Sequence, residues 1–187
     1  MTFNSLINKL ISENSIGIMG TDTVYGIVAR AEDKNAVARL YKLKERQIKP
    51  GTIVAANIDQ LVSLGLRRSY LTPFQPYWPN SLSVVIASSN PKLKYLHQGL
   101  NSLAVRIPKD PFFRKVLQKI GPLLTSSANP PGKETARNIH EARKYFNNSV
   151  DFYYDSGYLD NTKASTIIKL YDDSFEVLRQ GEYIFKP

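Results

Sequence analysis

The chain lacks cysteine altogether, which excludes disulfide frameworks, thiolate nucleophiles and cysteine-ligated zinc or iron–sulfur centres together. A reducing cytoplasm suits such a chain, and a cytoplasmic place is expected. Histidine is nearly absent too, with His97 and His140 the only two. Neither stands in an H-E-x-x-H or similar spacing, so no metal site of the protein's own is expected and each reads as an ordinary surface or core-edge residue. No serine sits in a G-x-S-x-G turn, which argues against a serine–histidine–acid hydrolase. Neither G-x-x-x-x-G-K-[ST] nor G-x-G-x-x-G is present, so a nucleotide would have to be held without a P-loop or a Rossmann phosphate loop. Long apolar runs are lacking as well: none approaches the ~20 residues of a membrane span. The first 14 residues carry Lys9 and Glu13 inside a periodic apolar pattern and read as a helix rather than a signal peptide. A soluble protein with no membrane contact is expected.

What is present suffices for one core. Of the 187 residues, 42% are hydrophobic and 11% aromatic, and a chain of this length leaves little room for a second full domain. The net charge is +9, from 25 Lys and Arg against 16 Asp and Glu. A field of that sign attracts polyanions, so nucleic acid or nucleotide partners stand beside the plainer reading of a solvated basic surface. Phe3, Leu6, Ile7, Leu10 and Ile11 repeat at helical spacing, as do Ala36, Val37, Leu40 and Tyr41. Runs at 16–19, 52–56, 83–87, 103–107 and 123–126 read as strands, with three more at 152–154, 166–170 and 175–178. Asp110 followed by Pro111 is an N-cap with proline at the first helical position; it opens a helix over 112–120 that Gly121-Pro122 stops. Asn57-Ile58-Asp59 opens a short helix, residues 139–146 form another, and Asn90-Pro91 with Gly99 mark a loop. The interleaving predicts a single α/β domain built on a mixed, twisted β-sheet with flanking helices.

Short polar words stand at the ends of these apolar runs: Gly20-Thr21-Asp22-Thr23-Val24-Tyr25-Gly26, Lys44-Glu45-Arg46, Ser127-Ala128-Asn129 and Ser165-Thr166. Hydroxyls, cations and backbone amides at strand ends suit anionic phosphate chemistry better than acid–base hydrolysis. Each word also has a plain structural alternative. Lys44 and Arg46 end a helix, where cations interact with its dipole. Their place just before a buried strand also puts them near a strand edge, where Arg grips phosphate or carboxylate with two N–H groups. Thr21 to Thr23 can be turn chemistry, with Asp22 capping its own backbone, and so can Ser126, Ser127 and Asn129 ahead of Pro130-Pro131-Gly132. Arg106, a charge at the end of a buried strand, wants an anionic partner.

Read in order, these words resemble the threonylcarbamoyl-AMP synthase family of the YrdC/TsaC type. The loop from Gly20 to Gly26 is similar to its P-T-[DE]-T-V-Y-G, Lys44-Glu45-Arg46 to its K-x-R and Val105-Arg106-Ile107-Pro108 to its V-R-x-P. Ser127-Ala128-Asn129 matches its S-x-N, Ser165-Thr166-Ile167 its S-T-I, and Arg179-Gln180-Gly181 its R-x-G. Residues 44–57 look like the shorter, bacterial branch. The resemblance implies one YrdC-like open α/β catalytic domain over residues 1–187, without the extra C-terminal domain of the longer branch.

The reaction so implied joins ATP, L-threonine and bicarbonate into threonylcarbamoyl-AMP and pyrophosphate, a nucleotidyl transfer that feeds a tRNA modification. The resemblance assigns Lys44 and Arg46 to catalysis. It places Arg46, Ser127, Asn129, Thr135 and Arg179 on the nucleotide side, and Thr23, Arg106, Thr125 and Ser165 around L-threonine, with Arg106 partnering its carboxylate. Mg2+ is expected to arrive with the ATP phosphates. Contact with tRNA through the basic surface, and downstream tRNA threonylcarbamoyl-transfer proteins, remain open as partners. The alternative is a non-catalytic RNA-binding module of the same fold, although such a binder needs basic and aromatic surface rather than hydroxyl loops. Gly20 stands where the family has proline and is expected to loosen the entry of its loop. Ser126 also replaces a proline, and Thr135 a serine.

Overall fold

The computed structural model describes residues 1–45, 50–159, 163–171 and 174–186. Its strands are β1 (Ile16–Gly20), β2 (Tyr25–Arg30), β3 (Thr52–Val54), β4 (Leu82–Ala87), β5 (Ser102–Arg106), β6 (Leu123–Ser127), β7 (Phe152–Tyr153), β8 (Thr166–Tyr171) and β9 (Ser174–Arg179). The helices are α1 (Phe3–Ile11), α2 (Lys34–Leu43), α3 (Ile58–Leu64), α4 (Arg68–Leu71), α5 (Lys94–His97), α6 (Pro111–Ile120) and α7 (Ile139–Phe146). Five of them start on a side-chain cap: Thr2, Asp33, Asn57, Asp110 and Asn138 each accept from the backbone N–H three residues on, which satisfies one of the helix's orphan donors. No helix among the described residues is long and apolar enough to cross a membrane.

The strands form one mixed sheet in the order β7-β1-β2-β6-β3-β5-β4-β8-β9. The pairs β1–β7, β3–β5 and β4–β8 are parallel and the rest antiparallel. Alternation along each strand sends neighbouring side chains to opposite faces, and the core divides accordingly. Ile18, Ile27, Ile53, Leu124 and Val105 pack with α2, α3, α5 and α7 on one face. Met19, Val28, Val54 and Leu123 face the other way, against Leu6 and Leu10 of α1 and Phe113, Val116, Leu117 and Ile120 of α6.

The α/β class and most elements are as the periodicity predicts. The stretch after Thr23 differs: it forms β2 and pairs with β1 in a hairpin, so Gly26 lies inside a strand and not at the rim of a loop. The run Tyr25–Arg30 is buried on both faces and so lacks the polar alternation that marks a half-exposed strand. The region of Asn90 is not plain loop either; a 3-10 turn over Pro91–Leu93 leads directly into α5.

Candidate active site

The site grows out of the sheet face that α1 and α6 cover only in part. On β6, Leu123 lies in the core beside α6, while Thr125 and Ser127 point the same way and line an open cavity. On β3, Val54 is covered and Thr52 lines the cavity. The cavity measures about 140 Å³. Thr23, Arg106, Thr125, Ser127, Ser165 and Arg179 all contribute to its wall, with Thr21, Thr52 and Ser126 between them. Six residues singled out in the sequence, drawn from five separate segments, thus converge on one hollow.

Two glycines permit the close approach of these segments. A side chain at Gly51 would bring its Cβ to 2.5 Å from the Thr125 carbonyl oxygen, so the chain entering β3 can lie against β6 only without one. Gly181 runs against the backbone of Ala164, Ser165 and Thr166 in the same way.

Arg106 is the charged centre of the wall. Its side chain is 4% exposed, and Nη2 lies 2.9 Å from Asp22 Oδ1, near enough for ion pairing though out of line for a hydrogen bond. Nη1 donates to Thr23 Oγ1 at 3.3 Å, while Nε is buried without a partner. Burial pulls the guanidinium below the usual arginine value, opposed by the charges of Asp22 and Glu182. Burial likewise pushes the Asp22 carboxyl up, opposed by Arg106. A buried donor without an acceptor costs about 1–3 kcal/mol, so the Arg106 Nε–H is a point where a ligand oxygen would be gained.

On the far wall, the Arg179 Nε and Nη2 donate to the Ser165 carbonyl at 3.0 and 2.8 Å, and Nη2 also reaches Ser165 Oγ at 3.1 Å. Ser165 Oγ shares a hydrogen bond of 2.9 Å with Ser83 Oγ. Thr125 Oγ1 donates to the Thr52 carbonyl at 3.1 Å.

Lys44 caps α2 and is only 5% exposed. Its ammonium donates to the Ser127 carbonyl at 2.9 Å, to Asn129 Oδ1 at 3.1 Å and to the Asn129 carbonyl. Ser127 Oγ donates to Asn129 Oδ1 at 2.6 Å, and Asn129 Nδ2 to the Lys133 carbonyl at 2.7 Å. Lys44 and Asn129 therefore pin the loop that carries Ser127, and neither lines the cavity. Thr135, half-buried in the following loop, does not line it either. Arg46 lies outside the described residues.

Gly20 corrects its expectation. Its N–H donates to Ser156 Oγ at 2.9 Å, and a Cβ there would stand 2.5 Å from Ser156 Cβ. Proline would lose that bond and collide, so the loop entry is tied down, not loosened. Sequence reasoning also overlooked Thr52, read only as part of a strand, and the pairing of Asp22 with Arg106. The signal for that pair was present in the expectation that Arg106 wants an anion. What hid the partner was the plainer capping role open to Asp22.

The Sua5/YciO/YrdC family, described as "Telomere recombination", matches residues 9–181. The threonylcarbamoyl-AMP synthase of Cellvibrio japonicus is 31% identical over 138 residues, covering 70% of this chain and 71% of that protein. The threonylcarbamoyl-AMP synthase of Pseudoalteromonas translucida is 28% identical over 163 residues, 84% of this chain and 87% of that one. Among solved structures, Pyrococcus abyssi Sua5 complexed with L-threonine superposes with a TM-score of 0.83 at 27% identity, covering 95% of this chain. The chain spans 53% of that Sua5 chain, about half its length. By the family match over residues 9–181, and by superposition on Sua5 over 95% of its length, the chain belongs to the Sua5/YciO/YrdC family.

Proposed function

We propose that the protein forms L-threonylcarbamoyladenylate and pyrophosphate from ATP, L-threonine and bicarbonate. The observation that carries this reading is the convergence of Thr23, Arg106, Thr125 and Ser165 on one small cavity. Arg106 offers a buried guanidinium for the amino-acid carboxylate, and charge-assisted bonds of this kind are the strong ones. The surrounding hydroxyls can serve the remaining polar groups of a small amino acid.

In this reaction the threonine nitrogen bonds the carbon of bicarbonate or carbon dioxide, with water lost in the first case, and gives a carbamate. A carbamate oxygen then attacks the α-phosphorus of ATP, and pyrophosphate leaves. The protein's part is positioning and the stabilisation of charge on phosphoryl oxygens, which suits a site of hydroxyls and cations. Ser127, on the loop pinned by Lys44 and Asn129, faces the nucleotide; Arg179 stands opposite, Thr135 follows on the loop, and Arg46 supplies the second cation of the K-x-R word. Magnesium enters with the ATP phosphates and offsets their charge. The reaction belongs in the cytoplasm, and its product would pass to tRNA threonylcarbamoyl-transfer proteins, with tRNA a further partner for the basic surface.

The test is pyrophosphate release from ATP, with and without L-threonine and bicarbonate. Release that requires both is the expected result. Release indifferent to both overturns the reading, and no release under any condition favours the RNA-binding module.

A further inference from the structure

Asp22 belongs to none of the roles above. It does not line the cavity that Arg106 lines, and its side chain has no solvent exposure, so it meets the guanidinium from outside the hollow. Oδ1 lies 2.9 Å from Arg106 Nη2, and Oδ2 accepts from the Lys109 backbone N–H at 3.3 Å. The carboxylate is thus fixed between the strand end that carries Arg106 and the segment that follows it. The nearby charges are accounted for: Lys109 Nζ pairs with Glu182 Oε1 at 2.5 Å, and Glu182 Oε2 accepts from Ser81 Oγ at 3.2 Å.

The wall itself carries two guanidiniums, Arg106 and Arg179, and no carboxylate among its described residues. Two cations and a ring of hydroxyls would suit a doubly charged oxyanion such as phosphate at least as well as an amino acid. On the reading above, ATP and pyrophosphate bring such oxyanions to the threshold of this same cavity. From the net charges alone, the cavity should prefer the wrong occupant.

We infer that Asp22 determines specificity in this cavity, holding Arg106 from behind and biasing the site toward a zwitterionic amino acid over phosphate-type anions. The inference rests on the proposed function. The physical reason is that the repulsion a buried carboxylate exerts scales with the ligand's net charge. A phosphate dianion meets it twice over. A zwitterion carries no net charge, and its ammonium gains part of what its carboxylate loses. Specificity then comes from a repulsive element placed out of reach of the ligand it rejects. Fixing the guanidinium also keeps its planar fork in one orientation, so that a single carboxylate is gripped without reordering the side chain.

The experiment uses the full chain and titration calorimetry with two ligands, L-threonine and inorganic phosphate, on the wild type, Asp22→Asn and Asp22→Glu. Asp22→Asn is expected to bind phosphate about tenfold more tightly because the repulsion is gone, and L-threonine more weakly because the guanidinium fork loses its fixed orientation. Asp22→Glu, which restores the charge, should return the preference toward that of the wild type. Equal weakening of both ligands would mark Asp22 as merely structural and overturn the inference, as would no change in either. Should Asp22→Asn fail to fold, competition on the wild type decides the matter: L-threonine must hold the site against an excess of phosphate, and displacement at comparable concentrations overturns the inference. A wild type that takes up no L-threonine refutes the proposed function; a wild type that binds it while the variants leave the preference unchanged refutes only the role of Asp22.

Discussion

The two faces of the sheet are treated differently by the rest of the chain. One is covered by α2, α3, α5 and α7, and the strands beneath present Ile18, Ile27, Ile53 and Leu124 to a continuous apolar core. The other is covered by α1 and α6 over only part of its extent, and where they stop, the same strand positions change from Val54 and Leu123 to Thr52 and Thr125. Adjacent residues show the contrast most directly: Ile53 is fully buried in the core, whereas Thr52 faces the cavity. The lesson is that this site is not a decoration on loops alone. It is the uncovered remainder of a core face, furnished with hydroxyls and cations and rimmed by the loop that follows β1 and by the segments that lead into β3 and β8.

That contrast can be broken or sharpened by mutation. The largest effect is expected for Arg106→Ala on the cavity face. Threonine-dependent pyrophosphate release should fall on the order of 10²-fold or more, and stability should fall by about 3–5 kcal/mol because Asp22 is left buried without its cation. Steady-state kinetics and denaturant unfolding read the two losses separately; normal kinetics would erase the distinction between the faces.

Ile53→Ala is the counterpart on the covered face. It should cost about 2–5 kcal/mol in unfolding free energy through the cavity it leaves, while the KM for L-threonine of the folded fraction stays unchanged. A raised KM at normal stability would show that the faces are not separable. Thr125→Val, back on the open face, removes the hydroxyl that donates to the Thr52 carbonyl. It should raise the KM for L-threonine by up to about tenfold, the equivalent of one hydrogen bond, and leave the melting temperature nearly in place.

The smallest effect is expected far from the cavity, at Asp151, which accepts from the Ile16 backbone N–H at 2.8 Å and from both Arg39 Nη atoms. Burial alone would raise its carboxyl, but the bonds from Arg39 and Ile16 hold it below the usual aspartate value. A depressed carboxyl contributes stability above its unfolded-chain pKa and loses it as the pH falls through the folded value. The side chain is 40% exposed, so Asp151→Asn should cost less than about 1 kcal/mol at neutral pH. Unfolding curves of wild type and variant should converge in acid, with the cavity's ligand affinity untouched.

Legibility in the sequence followed the strength of the local signal. α1, α2 and α6 were readable from apolar spacing, and α6 also from Asp110-Pro111, because periodicity and capping act within a few residues. β2 was not, because its first residues, Tyr25 and Gly26, were read as the end of the loop that begins at Gly20. In the candidate site, Thr23, Arg106, Ser127, Ser165 and Arg179 were named from short words and Thr125 from the family resemblance, and all six line the cavity. Thr52 escaped notice because nothing in T-I-V-A distinguishes a threonine facing a hollow from one facing a neighbour. The anchoring of the Ser127 loop by Lys44 spans 83 residues of sequence, and no local pattern encodes such a contact.

By itself, then, the sequence determined the class of the fold, the absence of thiol chemistry, and the inventory of hydroxyls and cations at strand ends, because composition, periodicity and capping are local properties. Only the tertiary structure decided where α1 and α6 stop covering their face, which of the polar residues that hollow gathers, and that Asp22 stands behind Arg106. Those are long-range outcomes of strand order and helix placement, fixed by packing against partners far away in the chain.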